Sequence, residues 1–222
     1  MSSPIKPTLK TELSSIVLII LCVVAGFYFY ANFPDKIASH WNFQGQADGY
    51  TGRAFGAFFF PGLIAAIYLM FLFIPYFDPK RDRYQEFSSA YHSIKTVLVA
   101  FMALIYLATG LFNLGYNINI GIVTAAAVGV LFIIMGQYLS QLKHNWFIGI
   151  RTPWTLSSET VWDKTHKVGG WLFTIMGVVM IIIPFLPETI GLIVFIAGLA
   201  AVVLGSFGYS YWLFLQERRL KK

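Results

Sequence analysis

The sequence predicts an all-α integral membrane protein with six transmembrane helices, both termini in the cytosol and one hairpin-like outer loop. Three observations carry that class. Hydrophobic residues make up 57% of the chain and charged ones 12%, with a mean hydropathy of +0.67, against about 25% charged in soluble domains. Uncharged apolar runs of the length that crosses a bilayer, about 20 residues, recur at 13–33, 54–77, 96–116, 120–142, 168–186 and 189–214. Of the 16 Lys and Arg, only Lys36 and Arg53 fall on one side of those runs; all others, including Lys221 and Lys222 at the end, fall on the opposite side. Basic residues in short loops stay in the cytosol, so the charge bias sets the orientation. It also accounts for the net charge of +6 and the pI near 9.4, and direct nucleic-acid binding is not expected. Little of the 222 residues remains outside the spans, and residues 1–222 read as one polytopic domain.

The first span ends in aromatics, with Tyr28, Tyr30 and Phe33 suited to an interfacial belt. Cys22 is the single cysteine, which excludes an intramolecular disulfide. Pro34 opens the sizeable outer loop, 34–53. There Ile37, Ser39, Trp41 and Phe43 alternate with Ala38, His40, Asn42 and Gln44, a period of two that predicts a short extended segment. Gly45 and Asp48-Gly49 supply turn chemistry. Three readings fit this loop: an interfacial hairpin, a ligand-facing surface, or a metal site through His40 with Asp35 or Asp48. The residues of the ligand-facing reading are His40, Trp41, Asn42, Gly45, Asp48, Gly49 and Tyr50.

Between the second and third spans, Tyr84, Phe87 and Tyr91 recur at helical spacing and are expected to lie on the membrane surface, with Arg83 and Glu86 toward water. Asn113, Asn117 and Asn119 form a short outer link. Pro61-Gly62 and Pro184 with Pro187 read as helix-end markers, broken transporter-like helices being the alternative. Gly191, Gly198, Gly205 and Gly208 on the sixth span suit close packing or a homo-oligomer face. No Asp, Glu, Arg or His falls in the hydrocarbon part of an expected span, and Lys95 sits at an end, so a proton-driven pump is not expected.

The longest inner polar interval is 143–167. Gly149 permits close backbone approach, Arg151 offers a planar donor fork, and Thr152 before Pro153 must be extended. Ser157 or Ser158 is placed to cap a helix running into the fifth span. On it Glu159, Asp163 and His166 share a face, which suits either an acid/base or metal set or, better supported, a solvated scaffold braced to Arg151. Trp146, Trp154 and Trp162 add aromatic anchors. No catalytic residue, cofactor or metal is expected.

Two stretches go beyond architecture. HWNFQGQADGYTGR resembles the outer-loop signature of a widespread bacterial domain of unknown function. NWFIGIRTPWTLSSETVWDKTHKVGG resembles the signature of the SdpI immunity protein family, and the resemblance spans essentially the whole six-span plan. It implies a non-enzymatic, multi-pass protein of the bacterial cell membrane that resists or senses a secreted, membrane-active toxic peptide. For the founding member it also implies a relay that holds a soluble transcriptional repressor at the membrane. The outer-loop residues then face the peptide and the bilayer lipids around it. Gly149, Arg151, Thr152, Pro153, Trp154, Glu159, Trp162, Asp163 and His166 form the inner scaffold or docking site. The alternative from another class is a transporter or lipid-handling carrier.

Overall fold

The computed structural model describes residues 5–220; Lys221 and Lys222, counted above among the inner basic residues, lie outside the described residues. Helix α1 (Leu9–Asn32) leads to strands β1 (Lys36–Trp41) and β2 (Ala47–Gly52). Helix α2 (Arg53–Phe77) and a 3-10 turn (Arg81–Phe87) precede α3 (Ser88–Asn113) and α4 (Ile120–Leu139). The short α5 (Pro153–Ser157), α6 (Glu159–Ile182), a 3-10 turn (Ile183–Phe185) and α7 (Glu188–Leu220) complete the chain. Six of these helices are long and apolar enough to cross a membrane. In the first half α1, α2 and α3 pack on one another; in the second, α6 is packed by both α4 and α7. Between helices, the halves meet along α3 and α4.

Helix starts follow local chemistry. Thr8 caps α1 in a reciprocal box with Thr11, and Ser158 caps α6 through the Val161 N–H, as its position before Glu159 predicts. Pro184 and Pro187 do separate α6 from α7. Pro61 and Pro75, however, lie inside α2, and the helix-end reading of Pro61 is corrected. A helical proline deprives the carbonyl four residues earlier of its N–H partner, a loss that lipid cannot make good. The partners come from α3: Tyr106 donates its hydroxyl to Ala57 O at 2.7 Å, and Tyr91 donates to Phe71 O at 2.5 Å. Two proline positions on one helix are thus matched by two tyrosines on its neighbour.

Helices α4 and α6 approach most closely at paired glycines: a Cβ on Gly129 would lie 2.6 Å from Gly177 O, and one on Gly136 equally close to Gly170 O. On α7 the expected packing glycines are less engaged; Gly198 meets Met176 and Gly205 meets Leu172, while Gly208 has nothing within 4 Å.

Two further expectations are overturned. Tyr84, Phe87 and Tyr91 are not on a membrane surface; they are 0–3% exposed and form one core with Phe71, Leu142 and Trp162, because the inner loops of both halves fold over one another. The spans also contain buried charge. Helix α3 begins at Ser88 rather than 96, and packing against α1 brings Lys95, 1% exposed, to within 2.5 Å of Glu12. In the sequence each residue stands at the edge of an apolar run; lateral packing makes that edge an interior.

Candidate functional site

The outer loop folds as an antiparallel hairpin with Ile37 opposite Thr51 and Ala38 opposite Tyr50. The strict period of two breaks at an irregularity around Ser39, so Ile37 and Ala38 are both buried. The reversal is made by Asn42–Gln46, with Asn42 N–H bonded to Gln46 O and Gly45 at φ +76°. Asp48-Gly49 lies in β2 rather than in the turn; Gly49 leaves the space that the His40 Cβ occupies.

Asn113, at the end of α3, acts as a third strand toward β1. Its Oδ1 accepts from Ala38 N–H at 2.8 Å and its Nδ2 donates to Ala38 O at 3.0 Å. Trp41 packs edge-on against Phe112. At the far end Gln44 Nε2 donates to Glu188 at the start of α7, 2.5 Å away, and Gly45 adjoins Gly121 of α4. The hairpin therefore bridges the halves.

Beneath it, between the halves, is an outer chamber of about 680 Å³, a ligand-sized volume. Phe33, Phe60, Thr109, Thr124, Met180 and Phe195 line it, one from the end or body of each span. Trp41 is also on its wall, and its buried indole N–H has no acceptor among the described residues, a donor that a ligand carbonyl would satisfy.

At the inner ends a polar cluster clamps the halves together. Asp78, 2% exposed, accepts from Lys80 N–H, Tyr84 OH and, across to the second half, Trp146 N–H at 2.9 Å. Glu159 pairs with Arg83 at 2.5 Å and lies 3.8 Å from Lys80, whose ammonium donates to His144 Nδ1 at 2.7 Å. Burial holds the His144 pKa below the usual histidine range; Lys80 and Arg83 add to this and Glu159 opposes it.

His166, fully buried, accepts from Ile150 N–H on Nε2 at 2.9 Å. This leaves its hydrogen on Nδ1, which donates to Trp162 O at 2.8 Å. Both ring nitrogens are held by backbone. Trp162, itself buried, stacks on that ring and donates to Leu142 O. Gly149, at φ +119°, lies so close to both rings that a Cβ would collide with His166 Nε2. Thr152 caps α5 with Thr155 and reaches Ser210 of α7 at 3.0 Å.

The segment running from the inner loop through α6 into α7, residues 141–210, matches the model of the SdpI/YfhL protein family, and residues 17–65 match a domain of unknown function, DUF1648. The Bacillus subtilis (strain 168) protein "Immunity protein SdpI" is 25% identical over 206 residues, covering 92% of this chain and 97% of its own length. The chain is thus similar to the SdpI/YfhL family over 141–210 and to the Bacillus subtilis immunity protein over most of its length. It is a multi-pass bacterial membrane protein. No solved structure matches it.

Within the SdpI-family match the inner residues divide into two groups. Gly149, Thr152, Trp162 and His166 are inside the fold or pressed against it, whereas Arg151, Pro153, Glu159 and Asp163 are exposed and Trp154 is partly covered by Phe207 and Tyr211. Glu159 is braced by Arg83 and Lys80 rather than by Arg151, whose guanidinium donates to Trp146 O. Glu159, Asp163 and His166 do not converge, and among the described residues no three His, Cys, Asp or Glu side chains are grouped to hold a metal. In the outer loop His40, Trp41, Asn42 and Gly45 line the chamber. Asp48, Gly49 and Tyr50 sit on β2, where Asp48 pairs with His40 at 2.6 Å. Sequence reasoning missed Thr109, Asn113, Thr124 and Glu188 as parts of this site. A carboxamide closing an otherwise apolar helix at Asn113 was the one available signal.

Proposed function

We propose that this chain is an immunity and sensing protein whose outer chamber receives part of a membrane-active toxic peptide. The chamber is the observation that carries the reading. It is apolar, walled by all six spans, and roofed by a hairpin whose Trp41 offers an unused donor. An extended apolar peptide supplies side chains for such walls and carbonyls for such a donor. The name of the Bacillus subtilis relative, an immunity protein, supports the same reading. His40, Trp41, Asn42 and Gly45 contact the bound segment, and Asp48, Gly49 and Tyr50 form the outer face that the peptide meets first. On the inner side the exposed Arg151, Pro153, Trp154, Glu159 and Asp163 form a docking face for a soluble regulator, a transcriptional repressor held at the membrane. Gly149, Thr152, Trp162 and His166 fix the shape of that face.

The test is survival of a sensitive strain expressing the chain and challenged with a membrane-active toxic peptide. Thr124→Trp, which fills the chamber, should abolish protection at unchanged membrane abundance. Equal survival with and without the intact protein overturns the immunity reading, and protection by the filled variant overturns the role of the chamber.

A second reading is favoured by one observation: the chamber opens between two halves whose inner ends are clamped by Asp78, Arg83 and Glu159. Carriers place sites between such halves and close one side at a time. Flux of a lipid or peptide in proteoliposomes without any survival benefit would select it.

A further inference from the structure

The geometry points to a second binding site, on the inner side of the first half, for an anionic amphiphile: a carboxylate or phosphate head on an acyl chain. A separate cavity of about 420 Å³ lies there, walled by Pro7, Phe71, Leu72 and Tyr91, with His92 and Lys95 also on its lining. Lys95 is seven residues into α3, about 10 Å along the helix from its inner end at ~1.5 Å per residue. The walls are those of a chain-binding groove; the two basic residues receive the head.

Donors left unused at this site select the chemistry of the occupant. Glu12 accepts from Lys95 Nζ at 2.5 Å, Tyr68 OH at 2.8 Å and Thr11 OH at 3.0 Å, and its Oε1 lies 3.4 Å from His92 Nδ1. The Lys95 ammonium has three N–H groups; one goes to Glu12 and a second to His92 Nδ1 at 3.3 Å. The third has no hydrogen-bond acceptor among the described residues, and the ammonium lies over the Tyr68 ring. With His92 Nδ1 accepting, the ring hydrogen is on Nε2. Two donors, the third ammonium N–H and His92 Nε2–H, therefore remain for an occupant, while the one carboxylate nearby is already paired with Lys95. A group with several acceptor oxygens fits that pair, and a cationic or purely donating head does not. The exposed Lys6, next to Pro7 in the chain, adds positive charge on the same side. Entry from the inner leaflet delivers the chain and the head together. None of these residues belongs to the outer chamber, so this site stands or falls independently of the immunity reading.

The test uses the full chain in phosphatidylcholine nanodiscs with a photoactivatable palmitate as probe, crosslinks being mapped by peptide mass spectrometry. Crosslinking is expected within 71–76 and 91–95. It should be competed by oleate or by phosphatidic acid, but not by oleyl alcohol or inorganic phosphate. His92→Phe removes a donor while keeping the Glu12–Lys95 pair, and should weaken capture at least tenfold; Leu72→Trp, which fills the cavity, should abolish it. Thermal unfolding of each variant reports whether it is folded. Capture at unrelated residues, or equal capture by both folded variants, overturns the site. Competition by inorganic phosphate as strong as by phosphatidic acid overturns the amphiphile and leaves a free-anion site.

Discussion

Replacing Tyr106 by Phe tests whether a tyrosine hydroxyl stands in for a backbone N–H that Pro61 lacks. The ring is 1% exposed, and it packs against Phe29 and Phe60 in contacts that phenylalanine would keep. What is lost is the 2.7 Å bond to Ala57 O. That carbonyl faces Pro61 instead of an amide, at a point where α1 is also close: a Cβ on Gly26 would lie 2.8 Å from it. Ala57 is itself 0% exposed, so the substitution should cost the penalty of one buried, unpaired acceptor, about 1–3 kcal/mol. The control is Pro61→Ala, which returns an N–H to the same carbonyl. In that background Tyr106→Phe should cost much less, with an interaction energy of about 1 kcal/mol or more between the two sites. Reversible unfolding in mixed micelles gives the four stabilities. Equal cost of Tyr106→Phe in both backgrounds would refute the reasoning, because the hydroxyl would then be acting on something other than the orphaned carbonyl. The same cycle applies to Tyr91 and Pro75 through Phe71 O.

Three other outcomes are expected. Gly149→Ala adds a Cβ at φ +119° against His166 and Trp162, and should destabilise the inner loop by at least about 1–3 kcal/mol, read by thermal unfolding with Gly208→Ala, which has open space, as the control. Asn113→Ala removes both bonds to Ala38; hydrogen exchange in β1 should quicken markedly while α2 exchanges as before, and unchanged protection of Ala38 would show that Asn113 is not what anchors the hairpin. His144 is held in its neutral form by burial and by Lys80, its pKa lowered from 6.5. Its contribution to stability is therefore complete above pH 6.5 and is lost as pH falls through the lowered value, because the unfolded chain takes up the proton first. His144→Gln should flatten that part of the pH–stability curve, and an identical acid slope in the variant would remove His144 as its cause.

Composition and run length were enough to set the solvent, the number of spans and the existence of two polar loops, because each segment carries those properties alone. The cap at Ser158, the hairpin and the break at Pro184 were legible for the same reason, since their partners lie within a few residues. What the loops do depended instead on how distant segments meet. Lys95 finds Glu12 and Ala38 finds Asn113 across 75 or more positions, and no local pattern encodes such a meeting. The surface expectation for Tyr84, Phe87 and Tyr91 failed because helical spacing reports that three residues share a face, not what covers it. Pro61 reads as a helix end in the sequence because its compensation comes from a tyrosine on another helix. The outer chamber, built from one or more residues of every span, became visible only when the two halves were set beside each other, since a cavity is a property of surfaces and has no sequence of its own.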